Sequence, residues 1–154
     1  MDTKYYLSLI IFFFLLYKPD YASAQDDKSL IISTINQLFE GMRQGDSTIV
    51  GEVLSPELRL LTVTESKGKV VLKEVSRERF LDAVGAPHDA VWDEKIGSYE
   101  VRMDDRLASV WTTYKFYLGN DFSHCGVNSF QLYKTHKGWQ IFAIADTRRL
   151  DNCP

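Results

Sequence analysis

Apolar residues recur at helical spacing between Asp27 and Gln44. Leu30, Ile31, Thr34, Ile35, Leu38, Phe39 and Met42 fall on one stripe, which predicts a helix with one buried face. Gly45 ends it, and Asp46 stands where it can cap a short second helix, Ser47 to Leu54. Pro56 then opens a strand in which Leu58, Leu60 and Thr62 alternate with Arg59, Leu61 and Val63. Lys67-Gly68 turns the chain into a second strand, Val70 to Glu74. Ser76 caps a third helix, Arg77 to Val84, with Phe80, Leu81 and Val84 on one side, and Gly85, Ala86 and Pro87 stop it.

From Val91 onward the period switches to two. Turns at Asp104-Asp105, Gly119-Asn120-Asp121 and Thr135-His136-Lys137-Gly138 mark off four long strands, which their short connections arrange as an antiparallel meander. The turns also predict a register. The first sets Val101 opposite Ala108 and Tyr99 opposite Val110. The second sets Phe116 opposite His124, Tyr114 opposite Gly126, Thr112 opposite Asn128 and Val110 opposite Phe130. The third sets Phe130 opposite Ala143 and Leu132 opposite Ile141. One face then collects Tyr99, Val101 and Met103, the alternate residues Ala108 to Phe116 and His124 to Leu132, and Ile141, Ala143, Ala145 and Thr147. The other face carries Trp111, Val127, Tyr133, Phe142 and Ile144 among its polar residues. It is too apolar for a wholly wetted surface, so a second subunit is expected to cover part of it.

The N-terminus follows another logic. Lys4 precedes an apolar run from Tyr5 to Tyr17, which at about 13 residues falls short of the roughly 20 that a membrane-crossing helix needs. Lys18, Pro19 and Asp20 end the run, and Ala22-Ser23-Ala24 is a small-x-small cleavage site. Residues 1–24 therefore read as a cleavable secretory signal and 25–154 as one domain, exported to a periplasmic or extracellular space, with no stable membrane anchor after cleavage.

Export changes the meaning of the two cysteines. In an oxidising compartment Cys125 and Cys153 are able to pair, and the bridge would add about 3–4 kcal/mol by restricting the unfolded chain. Two unpaired thiols are the alternative. The chain has no CxxC or Cys/His cluster of the kind that holds a metal, and no metal or cofactor is expected. The remaining residues have the size of one domain with one core, and the whole chain's 45% hydrophobic and 13% aromatic content, to which the leader contributes, leaves enough to pack it. A net charge of −3 argues against nucleic acid or an anionic membrane as partner, since both need a basic face.

Three helices followed by a long curved meander resemble the nuclear transport factor 2-like (ketosteroid isomerase-like) cone fold. The segments Ala108-Ser109-Val110-Trp111-Thr112-Thr113-Tyr114, Phe122-Ser123-His124-Cys125-Gly126-Val127, Ser129-Phe130-Gln131-Leu132 and Gly138-Trp139-Gln140-Ile141 are similar to the closing strands of exported bacterial members described as lumazine-binding or polyketide cyclase-like. Asp146-Thr147-Arg148-Arg149 and Cys153 fit the same group. The resemblance spans nearly all of residues 25–154. It implies an α+β, cone-like fold, with three N-terminal helices packed on a curved, mainly antiparallel sheet. It also implies an apolar pocket between helices and sheet. Isomerases, dehydratases, cyclases, ligand binders and association modules share this fold, so it does not name an activity.

The register places Thr112, Tyr114, His124, Asn128 and Thr147 on the concave face as pocket candidates. A Tyr hydroxyl, a His and a carboxamide could together hold a carbonyl or a planar heterocycle, and a His could move a proton near neutral pH. His124, Tyr114 and Asp146 are the catalytic candidates. Ketosteroid isomerase-like enzymes use a carboxylate base, yet no carboxylate falls inward on these strands. Asp146 is sent outward beside Arg148 unless a β-bulge between Ala143 and Asp146 reverses it, and Glu40 and Asp82 lie on helices near the pocket. The expected function is therefore the binding of a small apolar or aromatic ligand by a homodimer paired through the outer sheet face. An isomerase, dehydratase or cyclase is one alternative and a non-catalytic association module the other.

Overall fold

A computed structural model describes residues 21–154, so the charged and apolar stretches of the expected signal lie outside the described residues. Helices α1 (Tyr21–Gln44), α2 (Ser47–Val53) and α3 (Arg77–Gly85) pack on one face of six strands: β1 (Leu54–Ser66), β2 (Lys69–Val75), β3 (Trp92–Asp104), β4 (Leu107–Leu118), β5 (Asp121–Thr135) and β6 (Gly138–Thr147). The sheet order is β2-β1-β6-β5-β4-β3, antiparallel except where β6 runs parallel to β1. This is the expected α+β cone.

Local chemistry explains the helix boundaries. Asp46 takes hydrogen bonds from the Thr48 and Ile49 amides, satisfying two donors that the first turn of α2 leaves open, and Ser76 does the same for Arg79 at α3. The stripe of α1 is buried as predicted through Ile31, Ile35, Leu38, Phe39 and Met42, whereas Leu30 faces outward. These side chains meet Val110, Phe130, Leu132, Ile141 and Ile144 from the sheet. At the other end of α1, Asp27 accepts from Lys134 Nζ (2.8 Å) and Trp139 Nε1 (3.2 Å), tying the helix to β5 and β6.

The register departs from expectation at three places. The first meander turn uses Asp105 and Arg106, so Tyr99 pairs with Thr112, Val101 with Val110 and Met103 with Ala108. A slip of two keeps every side chain on its face. The second departure does not. A bulge between Ile96 and Ser98 reverses the phase of β3 and turns Trp92, Glu94 and Ile96 inward. Gly97 occupies the bulge, where a Cβ would stand 2.5 Å from Thr113 Oγ1.

The third departure is in β6. Leu132 pairs with Ile141 as expected, but Phe142 is an extra residue, so Phe130 faces Ile144 instead of Ala143. Ile144 and Asp146, expected outside, are buried inside; Ala143, Ala145 and Thr147, expected inside, are not. The β4–β5 pairs agree with the prediction from Val110 to Phe116, but the turn holds two residues, Gly119 and Asn120, rather than three, and an unpaired Ser123 makes up the difference.

Cys125 and Cys153 form a disulfide with their Cα atoms 5.6 Å apart. The returning chain also bridges Cys125 to Arg149 by two backbone hydrogen bonds, of 2.9 and 3.0 Å. The tail is thus held against β5. Here β5 and the end of β6 approach so closely that a Cβ on Gly126 would lie 1.8 Å from the Thr147 carbonyl oxygen.

Candidate functional site

Helices α1 and α3 do not fill the concavity of the sheet. A cavity of about 580 Å³ remains, walled by Leu38, Phe39, Phe80, Trp92, Phe116 and Phe130. Its polar groups come from five strands, from Arg148 just past β6 and from Arg79 on α3, and those on the sheet are linked by hydrogen bonds in small groups.

Two carboxylates line it. Asp146 stands inward because of the Phe142 bulge, and its parallel neighbour on β1 is Thr62. Thr62 Oγ1 donates to Asp146 Oδ1, while Arg148 Nε (2.8 Å) and Tyr114 Oη (3.3 Å) donate to Oδ2. Glu94, on β3, faces the same cavity. Asn128 Nδ2 donates to Glu94 Oε1 at 2.8 Å and is 3.3 Å from Thr112 Oγ1. Burial pushes the Glu94 carboxyl up to about 7, the Asp146 charge adds to the rise, and the Asn128 hydrogen bond and Arg148 oppose it.

The other candidates occupy distinct positions. Tyr114 is almost fully buried, and its hydroxyl donates to the Thr147 carbonyl at 2.9 Å as well as towards Asp146. Burial and the two carboxylates hold that phenol far above its usual range, so it stays neutral. His124 lies against Phe116, with ring centres 5.0 Å apart, and its Nδ1 is 3.0 Å from Ser123 Oγ. Burial, then the Arg148 charge, lowers its pKa, so the ring is neutral at neutral pH. A bulge that leaves Ser123 unpaired opposite Phe116 and Tyr117 lets both Ser123 and His124 reach the cavity.

Thr112 is fully buried behind Asn128, and it supports the amide without lining the cavity. Thr147 points away: its Oγ1 accepts from the Val127 amide, and only its carbonyl serves the site, through Tyr114. The inward carboxylate that the sequence pattern lacked is Glu94, together with Asp146. The available signal was Gly97, since a glycine inside a strand often marks a bulge. Trp92, Glu94 and Ile96 before it and Tyr99, Val101 and Met103 after it form two apolar-side series out of phase. Glu40 pairs with Arg43 in a separate outer groove that reaches the far side of Glu94.

No known protein family and no curated protein matches this sequence. Solved structures do match the fold. A protein of unknown function from Mycobacterium tuberculosis is 11% identical, with a TM-score of 0.70 over 87% of this chain and 78% of that one. A nuclear transport factor 2-like protein with a cystatin-like fold from Novosphingobium aromaticivorans is 12% identical, with a TM-score of 0.68 over 86% and 87%. A proposed dehydratase of the same family from Streptomyces avermitilis is 15% identical, with a TM-score of 0.61 over 82% and 99%.

Proposed function

The chain has the nuclear transport factor 2-like fold, and from that premise we propose that it admits one small, mostly apolar carbonyl compound to the cone and moves a proton on it with Glu94. The observation that carries this reading is the Glu94 carboxyl in an apolar cavity, titrating at about 7 under the hydrogen bond from Asn128. A proton-transfer group works best when its pKa lies near the working pH, because both protonation states are then populated. The ionised carboxylate takes a proton from the carbon beside the carbonyl, and the resulting acid returns it to a second atom of the same ligand. His124 lines the same wall and is a polar group that can face the carbonyl oxygen.

A ligand carrier without turnover is the second reading, and Tyr114 favours it. Its hydroxyl proton is spent on Thr147 and Asp146, so it supplies no donor to a developing oxyanion.

Exchange of the α-protons of 2-tetralone in D2O, followed by NMR, separates the two. The acid–base reading expects exchange faster than in buffer, increasing with pH to a plateau with a midpoint near 7, and a loss of about a hundredfold or more in Glu94→Gln. Binding of the ketone without faster exchange would leave the carrier reading standing alone.

Export as a signal-cleaved chain and pairing through the outer sheet face belong to the same proposal. The Cys125–Cys153 bridge supports export, since disulfides persist in oxidising compartments. Trp111, 47% exposed on that outer face, supports the pairing.

A further inference from the structure

We propose that the compound entering the cone carries an acidic group held by Arg79 and Arg148 where the cavity opens, which makes the preferred ligand class a small amphipathic monoanion. This rests on the reading of the cavity as a ligand site and goes further by naming the ligand's charge.

Arg79 projects from α3 and Arg148 follows β6; both line the cavity and both are exposed, so they stand where it meets solvent. Arg148 commits only Nε to Asp146, and its terminal nitrogens have no protein partner among the described residues. Arg79 has no ion-pair partner among the described residues, and its guanidinium makes no hydrogen bond to them; its backbone amide donates to the Ser76 cap.

The charge balance of the lining points the same way. Asp146 and Arg148 offset one another, burial favours the neutral acid of Glu94, and Arg79 has no carboxylate set against it in the lining. The carboxylates of Glu65 and Asp151 line an adjoining hollow that Arg148 and Arg149 share; neither pairs with Arg148 among the described residues, and neither lines the cavity itself. Phe80, Trp92, Phe116 and Phe130 accept an apolar body, so charge and apolar surface lie on one continuous wall. A planar guanidinium suits a carboxylate or a similar oxyanion because it can donate two parallel hydrogen bonds.

Two fluorescent probes with one aromatic frame test this: 8-anilinonaphthalene-1-sulfonate, which is anionic, and N-phenyl-1-naphthylamine, which is neutral. The quantity read is the ratio of their affinities, each titrated to one site per chain. Arg79→Gln changes an exposed side chain and is expected to lower the ratio about fivefold to tenfold in favour of the neutral probe. Arg148→Gln is expected to do the same if its near-ultraviolet circular dichroism stays native; if it unfolds, Arg79→Gln decides alone. A ratio unchanged in Arg79→Gln overturns the anionic class while leaving the cavity a ligand site. Failure of both probes to bind overturns the cavity reading and this inference together.

Discussion

Asn128 on β5 reaches across β4 to donate its amide hydrogen to Glu94 on β3 at 2.8 Å, although the two strands are not neighbours in the sheet. Thr112, on the strand between them, accepts from the same nitrogen. The contact exists because the Gly97 bulge swings Glu94 inward, and it offsets part of the rise that burial imposes on that carboxyl.

The first prediction concerns pH. In the folded chain Glu94 titrates at about 7 against an ordinary value of 4.5, with burial as the main cause and Asn128, Asp146 and Arg148 as its charged and polar surroundings. The native state therefore holds a proton that the unfolded chain gives up. The stability this contributes is complete below the unfolded value and is lost as pH rises through about 7. Glu94→Gln should lack that loss. Urea denaturation at pH 5 and pH 8 should show the variant gaining on the parent at the higher pH, by something on the order of 3 kcal/mol.

Asn128→Ala removes the hydrogen bond that favours the Glu94 carboxylate. The carboxyl should then titrate above the parent value, measurable by carboxyl-carbon NMR. The unpaired Thr112 hydroxyl and Glu94 should cost about 1–3 kcal/mol in denaturant stability. An unmoved or lowered titration would contradict the hydrogen bond's role.

Gly126→Ala should be among the most damaging single changes. Its methyl group would fall 1.8 Å from the Thr147 carbonyl oxygen, and that atom is backbone held in place by the Tyr114 hydroxyl. A loss of about 3 kcal/mol or more, or failure to fold, is expected in thermal and urea melts. A near-neutral result would mean that β5 and β6 can separate here at little cost.

The disulfide gives a fourth test. It closes a span with a sequence separation of 28, for which chain-entropy arguments give about 3–4 kcal/mol. The double variant Cys125→Ala, Cys153→Ala should lose that amount, and a reducing agent should lower the stability of the parent but not of the variant.

Much of this protein follows from short stretches of sequence. The stripe on α1, the caps at Asp46 and Ser76, the four meander strands and the β4–β5 register all rest on residues near one another in the chain, where period and turn chemistry act without help from the rest of the molecule. The two cysteines needed only closeness of β5 to the tail.

The candidate site depended instead on tertiary structure. Alternation carries no instruction to add a residue, and one extra residue turns every side chain beyond it to the other face. The bulges at Gly97 and Phe142 settle whether Glu94 and Asp146 stand inside. Both were selected by packing: Gly97 by the approach of Thr113, and the turn of β6 by its parallel pairing with β1, where Thr62 meets Asp146 across 84 positions. The sequence by itself therefore determined the elements, their order and most of the core. Which carboxylates face the cavity is set by contacts between distant strands, because only there does the energy of a bulge have something to be weighed against.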